Sequence, residues 1–134
     1  MAHEDDEGEK SRFERGREIL SEIHGELGNN ILSSLSDVAP DFARHIFEFP
    51  YADIYSRPGL DRRARAMVTI AALAAMGNAA PQLKVHIEAS LNVGVTREEI
   101  IEIMMQTAVY AGFPAAMNGI FIAKEVFARR DAAA

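Results

Sequence analysis

The chain has no cysteine and no tryptophan, and only four of its 134 residues are histidine. Without cysteine there is no disulfide framework, no thiol nucleophile and no Cys-based zinc site. Basic residues are also short: 14 Lys and Arg against 20 Asp and Glu leave a net charge of −6. That balance argues against nucleic acid as the main partner, because phosphate binding needs clustered cations. A small anionic ligand, which needs only one or two local cations, stays open. Long hydrophobic runs are missing too. The longest apolar stretch, AMVTIAALAAMG at Ala66–Gly77, is shorter than the ~20 residues that span a bilayer. No segment alternates in the manner of a strand. No G-x-G-x-x-G or Walker pattern occurs, and no paired-histidine metal motif.

What the chain does contain is helix punctuation. About half of it is hydrophobic and a quarter charged, the composition of an ordinary globular protein. Its opening, MAHEDDEGEK, has neither the basic nor the apolar region of a signal peptide. Residues 1–10 are expected to form a frayed acidic arm carrying an incidental His3, ahead of one helical domain over 11–130. A cytoplasmic location is expected. SRFERGREILSEIHGELG sets Phe13, Ile19, Leu20, Ile23 and Leu27 on one side, with Gly28 as the stop, and leaves His24 at the boundary of that face. A short helix follows, then a longer one starting at Pro40, with Phe42, Ile46, Phe47 and Phe49 as its apolar surface and Pro50 ending or kinking it. Asp61 caps a helix that is basic first and apolar all round later, so its second half is expected to be surrounded by protein. Pro81 starts the next helix and Gly94 ends it. Thr96 and Glu99 form a capping box. Gly112 and Pro114 break the chain before a last helix, and the closing DAAA should fray. The fold class is all-α, with about six helices.

The apolar content of Ala66–Gly77 and of residues 100–122 exceeds what a lone small domain covers easily. Part of that surface is therefore expected to be an interface between copies of the chain. A tight monomeric bundle is the alternative.

Three places could carry chemistry. In PQLKVHIEASLNVGVTREEI, the residues Leu83, Ile87 and Leu91 share one helix face, Lys84, Glu88 and Asn92 the opposite one, and His86 and Ser90 lie at the edge. An imidazole in a partly dry setting has a tunable proton affinity. On position alone, a hydrogen-bonded boundary residue is the simpler account of His86. In YADIYSRPGLDRRAR, Arg57 stands among Tyr51, Tyr55 and Pro58, and a guanidinium fork suits a carboxylate. Arg62 and Arg63 read instead as a solvated helix start. In QTAVYAGFPAAMNG, Tyr110 and Asn118 are polar handles in an apolar segment whose default role is structural hydrogen bonding. Met104, Met105 and Met117 read as core or interface.

Taken together, YSRPGLDRRARAMVTIAALAAMG, QLKVHIEASLNVGVTREEIIEIMMQ, YAGFPAAMN and AKEVF resemble the carboxymuconolactone decarboxylase family. The likeness is to the γ-carboxymuconolactone decarboxylase branch of the alkylhydroperoxidase D-like superfamily and runs from Tyr51 to Phe127. It implies an all-α domain assembling into trimers or hexamers. The peroxidase branch carries a C-x-x-C pair with a histidine four residues later. Here those positions are Ala79, Gln82 and His86, so thiol-dependent peroxide reduction is excluded.

The decarboxylase branch implies a reaction free of metal and cofactor: 4-carboxymuconolactone, a small anionic lactone, loses CO2 to give the β-ketoadipate enol-lactone in protocatechuate catabolism. Within that frame His86 is the catalytic candidate, for oxyanion stabilisation or protonation. Arg57 is the candidate for the retained carboxylate, with Tyr55 and Tyr110 as hydrogen-bond donors. Two other readings compete: a family member acting on another small carboxylated or lactone substrate, and a non-catalytic oligomeric module that binds an anion or a partner.

Overall fold

The computed structural model describes residues 9–134, and all the regular structure among them is helical. Helices α1 (Arg12–His24), α2 (Leu27–Leu35) and α3 (Pro40–Ile46) precede a π-helical segment, Phe47–Ile54, that continues α3 without a break. Then come α4 (Arg62–Met76), α5 (Ala80–Asn92), α6 (Arg97–Ala111) and α7 (Phe113–Ala133). The all-α class holds, with seven α-helices among the described residues where about six were expected. Most of the expected acidic arm, His3 included, lies outside the described residues. The chain divides into one compact unit ending at Arg57 and a second, Pro58–Ala134.

In the first unit, α1 begins on a capping box: the Glu14 amide donates to the Ser11 hydroxyl at 3.2 Å, and the Ser11 amide to the Glu14 carboxylate at 3.3 Å. The helix stops at Gly25, whose φ of +64° suits glycine. Gly28 is therefore not the stop. It sits buried within α2, where a Cβ would come within 2.7 Å of Leu20 and 3.3 Å of the Phe47 ring. Gly16 likewise lets α1 approach the Phe47 carbonyl more closely than any side chain would permit. Phe47 is fully buried, with the Phe13 ring 5.1 Å away.

Pro50 does not end its helix either. It stands inside the π-helical segment, where the amide of Tyr55 donates to the Pro50 carbonyl at 2.8 Å, five residues back. An α-helical turn suffers at an interior proline because the bond to residue i−4 is lost and the ring meets that carbonyl. Wider winding changes the carbonyl register, and the chain stays helical to Ile54. Of the four expected apolar contributors here, Phe47 is buried and Ile46 half-buried, while Phe42 and Phe49 are exposed.

The second unit follows its local signals closely. The Ala64 amide donates to Asp61 at 2.8 Å, which caps α4, and Gly77 closes it in the left-handed region at φ +72°. Thr96 and Glu99 form the expected reciprocal pair at 3.1 and 3.0 Å. Gly94 and Gly112 supply positive φ at the ends of α5 and α6. Ile70, Ile87, Ile100, Met104 and Val126 fill the core with no exposed surface.

Two expectations fail in this unit. The second half of α4 is not surrounded: Val68, Ala72, Ala75 and Met76 are exposed. The closing DAAA does not fray from Asp131, because α7 runs to Ala133 and Arg97 grips the Asp131 carboxylate with both ends of its fork, at 2.6 and 3.2 Å.

Candidate active site

His86 lies on α5, half-buried, one turn beyond Leu83. Leu83 and Ile87 are buried as the helix periodicity requires, and Leu91 is half-buried against the same core. Ser90 goes further in than its edge position suggested: it is fully buried and donates to the Ile87 carbonyl at 2.6 Å, a back-bond that satisfies a small hydroxyl inside a helix. Burial holds the His86 pKa below the ordinary histidine range, since low-dielectric surroundings disfavour the cation. At neutral pH the ring is an uncharged imidazole, able to donate from one nitrogen and accept at the other.

Lys84, Glu88 and Asn92 are tied to α7 on the other face. Lys84 pairs with Glu125 at 3.3 Å, Arg129 pairs with Glu88, and Arg130 donates to the Asn92 side chain at 2.7 Å. These contacts fix which side of α5 turns outward, and so fix the strip on which His86 sits.

Tyr110 is 84% exposed near the end of α6, so the structural hydrogen-bonding role expected of it within an apolar segment is corrected. Its position, i+3 from Thr107, puts it past the end of the buried stripe. It lines a largely apolar groove of about 480 Å³ between α4 and α6, together with Met67, Gln106 and Thr107. That groove contains no residue of α5, so it does not unite Tyr110 with His86.

A second cavity, of about 260 Å³, runs along the N-terminal end of α5, lined by Ala79 and Leu83 and by Leu73, Asn118 and Phe121. Ala79 is the buried N-cap residue of α5, and the Leu83 amide donates to its carbonyl at 2.8 Å. Asn118 is exposed on α7 and opens onto this cavity.

Tyr55 and Arg57 belong to the first unit. Tyr55 follows the π-helical segment and stacks on Tyr51, ring centres 4.9 Å apart and planes 20° from parallel. The Tyr51 hydroxyl is hydrogen-bonded to His24 Nε2 at 2.8 Å, and the two rings meet edge to face. Burial, reinforced by Tyr55, pushes the Tyr51 phenol well above its usual pKa. Arg57 stands exposed in the turn, its amide donating to the Ile54 carbonyl at 3.1 Å. The His24–Tyr51 pair was missed from sequence, because the two residues are distant in the chain and meet through the π-helical winding.

Arg63 is not merely solvated. It pairs with Glu99 and holds that carboxyl below its usual pKa. Among the described residues no three carboxylates or histidines gather in a manner that could hold a metal ion. No helix among them is long and apolar enough to cross a membrane.

Residues 40–125, from the start of α3 into α7, match the carboxymuconolactone decarboxylase family. The chain belongs to this family. Over 120 residues it is 38% identical to the 4-carboxymuconolactone decarboxylase of Acinetobacter baylyi, covering 89% of each chain. It is 27% identical to the nitrosuccinic acid decarboxylase of Metarhizium robertsii, over 90% of this chain and 84% of that one. An uncharacterized 15.0 kDa protein of Paracoccus denitrificans is 28% identical over 89% of this chain and 90% of its own. This carboxymuconolactone decarboxylase family member thus has relatives named for loss of CO2 from two different acids. Those relatives support a carboxy-lyase.

Proposed function

We propose that the protein removes CO2 from 4-carboxymuconolactone, giving the β-ketoadipate enol-lactone of protocatechuate catabolism. The observation that carries this reading is the 38% identity, spread over 89% of both chains, to a protein of that name. The chemistry makes small demands on the protein. The departing carboxylate sits on a ring carbon joined through a C=C bond to the lactone carbonyl. When the C–CO2 bond breaks, its electron pair moves through that double bond onto the carbonyl oxygen. The substrate is its own electron sink, and a proton must then reach carbon. Catalysis therefore reduces to binding a retained carboxylate, stabilising an oxyanion and delivering a proton.

His86 is the proposed catalytic group. Its lowered pKa favours the neutral ring, which suits hydrogen-bond donation to the oxyanion better than proton delivery from an imidazolium. Arg57 is the proposed partner of the retained carboxylate, with Tyr55 and Tyr110 as proposed donors. The exposed apolar side chains Met105, Val109, Phe113, Met117 and Phe121 on α6 and α7 support self-association; a trimer or hexamer, and a cytoplasmic location, are parts of the same proposal. The test is to supply the purified protein with 4-carboxymuconolactone and to follow CO2 and the product by NMR. Stoichiometric CO2 and enol-lactone are expected, and the intact lactone after prolonged incubation counts against the reading. A second reading, decarboxylation of another small acid, is favoured by the nitrosuccinic acid decarboxylase relative. It predicts CO2 from nitrosuccinate under the same conditions and none from the lactone.

A further inference from the structure

We propose that the cavity beside α5 takes the uncharged lactone ring of the substrate, and that the Asn118 side-chain amide donates a hydrogen bond to the ring carbonyl. The proposal rests on the lactone reading above and adds the subsite and the residue. Three features carry it. First, the cavity lies at the end of α5 that carries Leu83, one turn before His86, and His86 itself is not among its lining residues. Leu83 and His86 are i, i+3 neighbours on α5, and such pairs share a face. Helical side chains lean toward the N-terminus, so His86 leans toward the α5 end, where Ala79, Ala80 and Leu83 line this cavity. The larger groove at Tyr110 contains no α5 residue.

Second, the lining is chemically selective. Its residues are aliphatic, aromatic or glycine except for Asn118, and none is charged. A carboxylate entering this space would lose its water with no cation in return, which is costly. A lactone ring would lose little. The cavity holds about 260 Å³, just under the ~300 Å³ at which pockets for drug-sized ligands begin, a scale that suits a single substituted ring. Third, Asn118 makes no side-chain hydrogen bond to another described residue and opens onto the cavity. Its NH2 can donate without moving a proton. As the C–CO2 electron pair reaches the ring carbonyl, that oxygen gains charge and the hydrogen bond strengthens. Asn118 keeps its hydrogen throughout, and the proton that closes the reaction at carbon is taken from solvent water.

Two experiments test this separately from the choice of substrate. The first titrates 15N-labelled protein with 2(5H)-furanone, an uncharged unsaturated lactone. Saturable shifts at Ala79, Leu83 and the Asn118 side-chain amide are expected, weakened in Asn118→Ala. Shifts centred on Gln106 and Tyr110 instead, or no saturable shifts, overturn the subsite even if the lactone acid is turned over. The second compares kcat and KM for 4-carboxymuconolactone in Asn118→Ala and Asn118→Asp. A fall in kcat of about 10²-fold is expected in both, the scale for losing one oxyanion donor, with KM changed far less. Asn118 is exposed, so melting temperatures should stay at the wild-type value. Wild-type kcat in both variants overturns the role. A wild-type protein that leaves the lactone acid untouched strikes the substrate reading, and the furanone map then decides the subsite alone.

Discussion

The two units of the chain reach a helical structure by different routes. In the second, Pro58–Ala134, local signals set most of the helix ends: Asp61 and Gly77 for α4, Gly94 after α5, Thr96 with Glu99 and then Gly112 for α6. In the first, ending at Arg57, the decisive features are contacts between residues far apart in sequence. Gly16 faces the Phe47 carbonyl, Gly28 faces Leu20 and the Phe47 ring, and Arg12 reaches Asp53 with Nε at 2.9 Å. The π-helical segment around Pro50 belongs to that second kind of order. Local rules predict a break there, and packing of Phe47, Tyr51 and Ala52 against the unit's core keeps the chain helical.

That contrast can be broken by substitution. The largest effect is expected at Gly16. A Cβ there collides with backbone rather than with a yielding side chain, so Gly16→Ala should cost about 3 kcal/mol, the upper end for overpacking. Hydrogen exchange should show the loss in α1 and the π-helical segment more than in α5. Equal loss in α5 would mean that the first unit's order is not locally held. Thr96→Ala removes a cap in the second unit and should cost about 1 kcal/mol, read as a small shift in denaturant midpoint with protection lost first at the start of α6.

The smallest effect concerns pH. The folded pKa of His86 lies below its unfolded value of about 6.5. The unfolded chain therefore binds more protons in the window beneath 6.5, and stability falls with falling pH there. The contribution is fully present above pH 6.5 and is lost progressively below it. His86→Gln should flatten this part of the stability profile while leaving stability above pH 7 nearly unchanged. An unaltered slope would mean that His86 is not held neutral by burial.

Legibility followed the same division. Helix class, the caps at Asp61 and Thr96, and the buried face of Leu83 and Ile87 could be read directly, because each depends on residues within one or two turns. The true end of α1 at Gly25 was missed, since Gly25 and Gly28 offer the same local signal and only the close approach of Phe47 decides between them. The outward turn of Tyr110 was not legible, because an apolar segment hides which of its faces is turned out; α6 buries Ile100, Met104 and Thr107 and exposes Tyr110. At the site, His86 was legible as a residue and its half-dry setting as an expectation. The cavity at the N-terminal end of the same helix was not, because Leu73, Leu83 and Asn118 come from three helices. The strip Ala79, Leu83, His86 was the available signal, at spacings of four and three.

The most direct test of the account is CO2 release from 4-carboxymuconolactone by wild-type and His86→Ala protein side by side, each checked for an unchanged melting temperature. The account predicts steady CO2 release from the wild type and a rate lower by about 10²-fold or more in the variant, the scale on which a single oxyanion donor or acid–base group acts. Equal rates from the two proteins would contradict it.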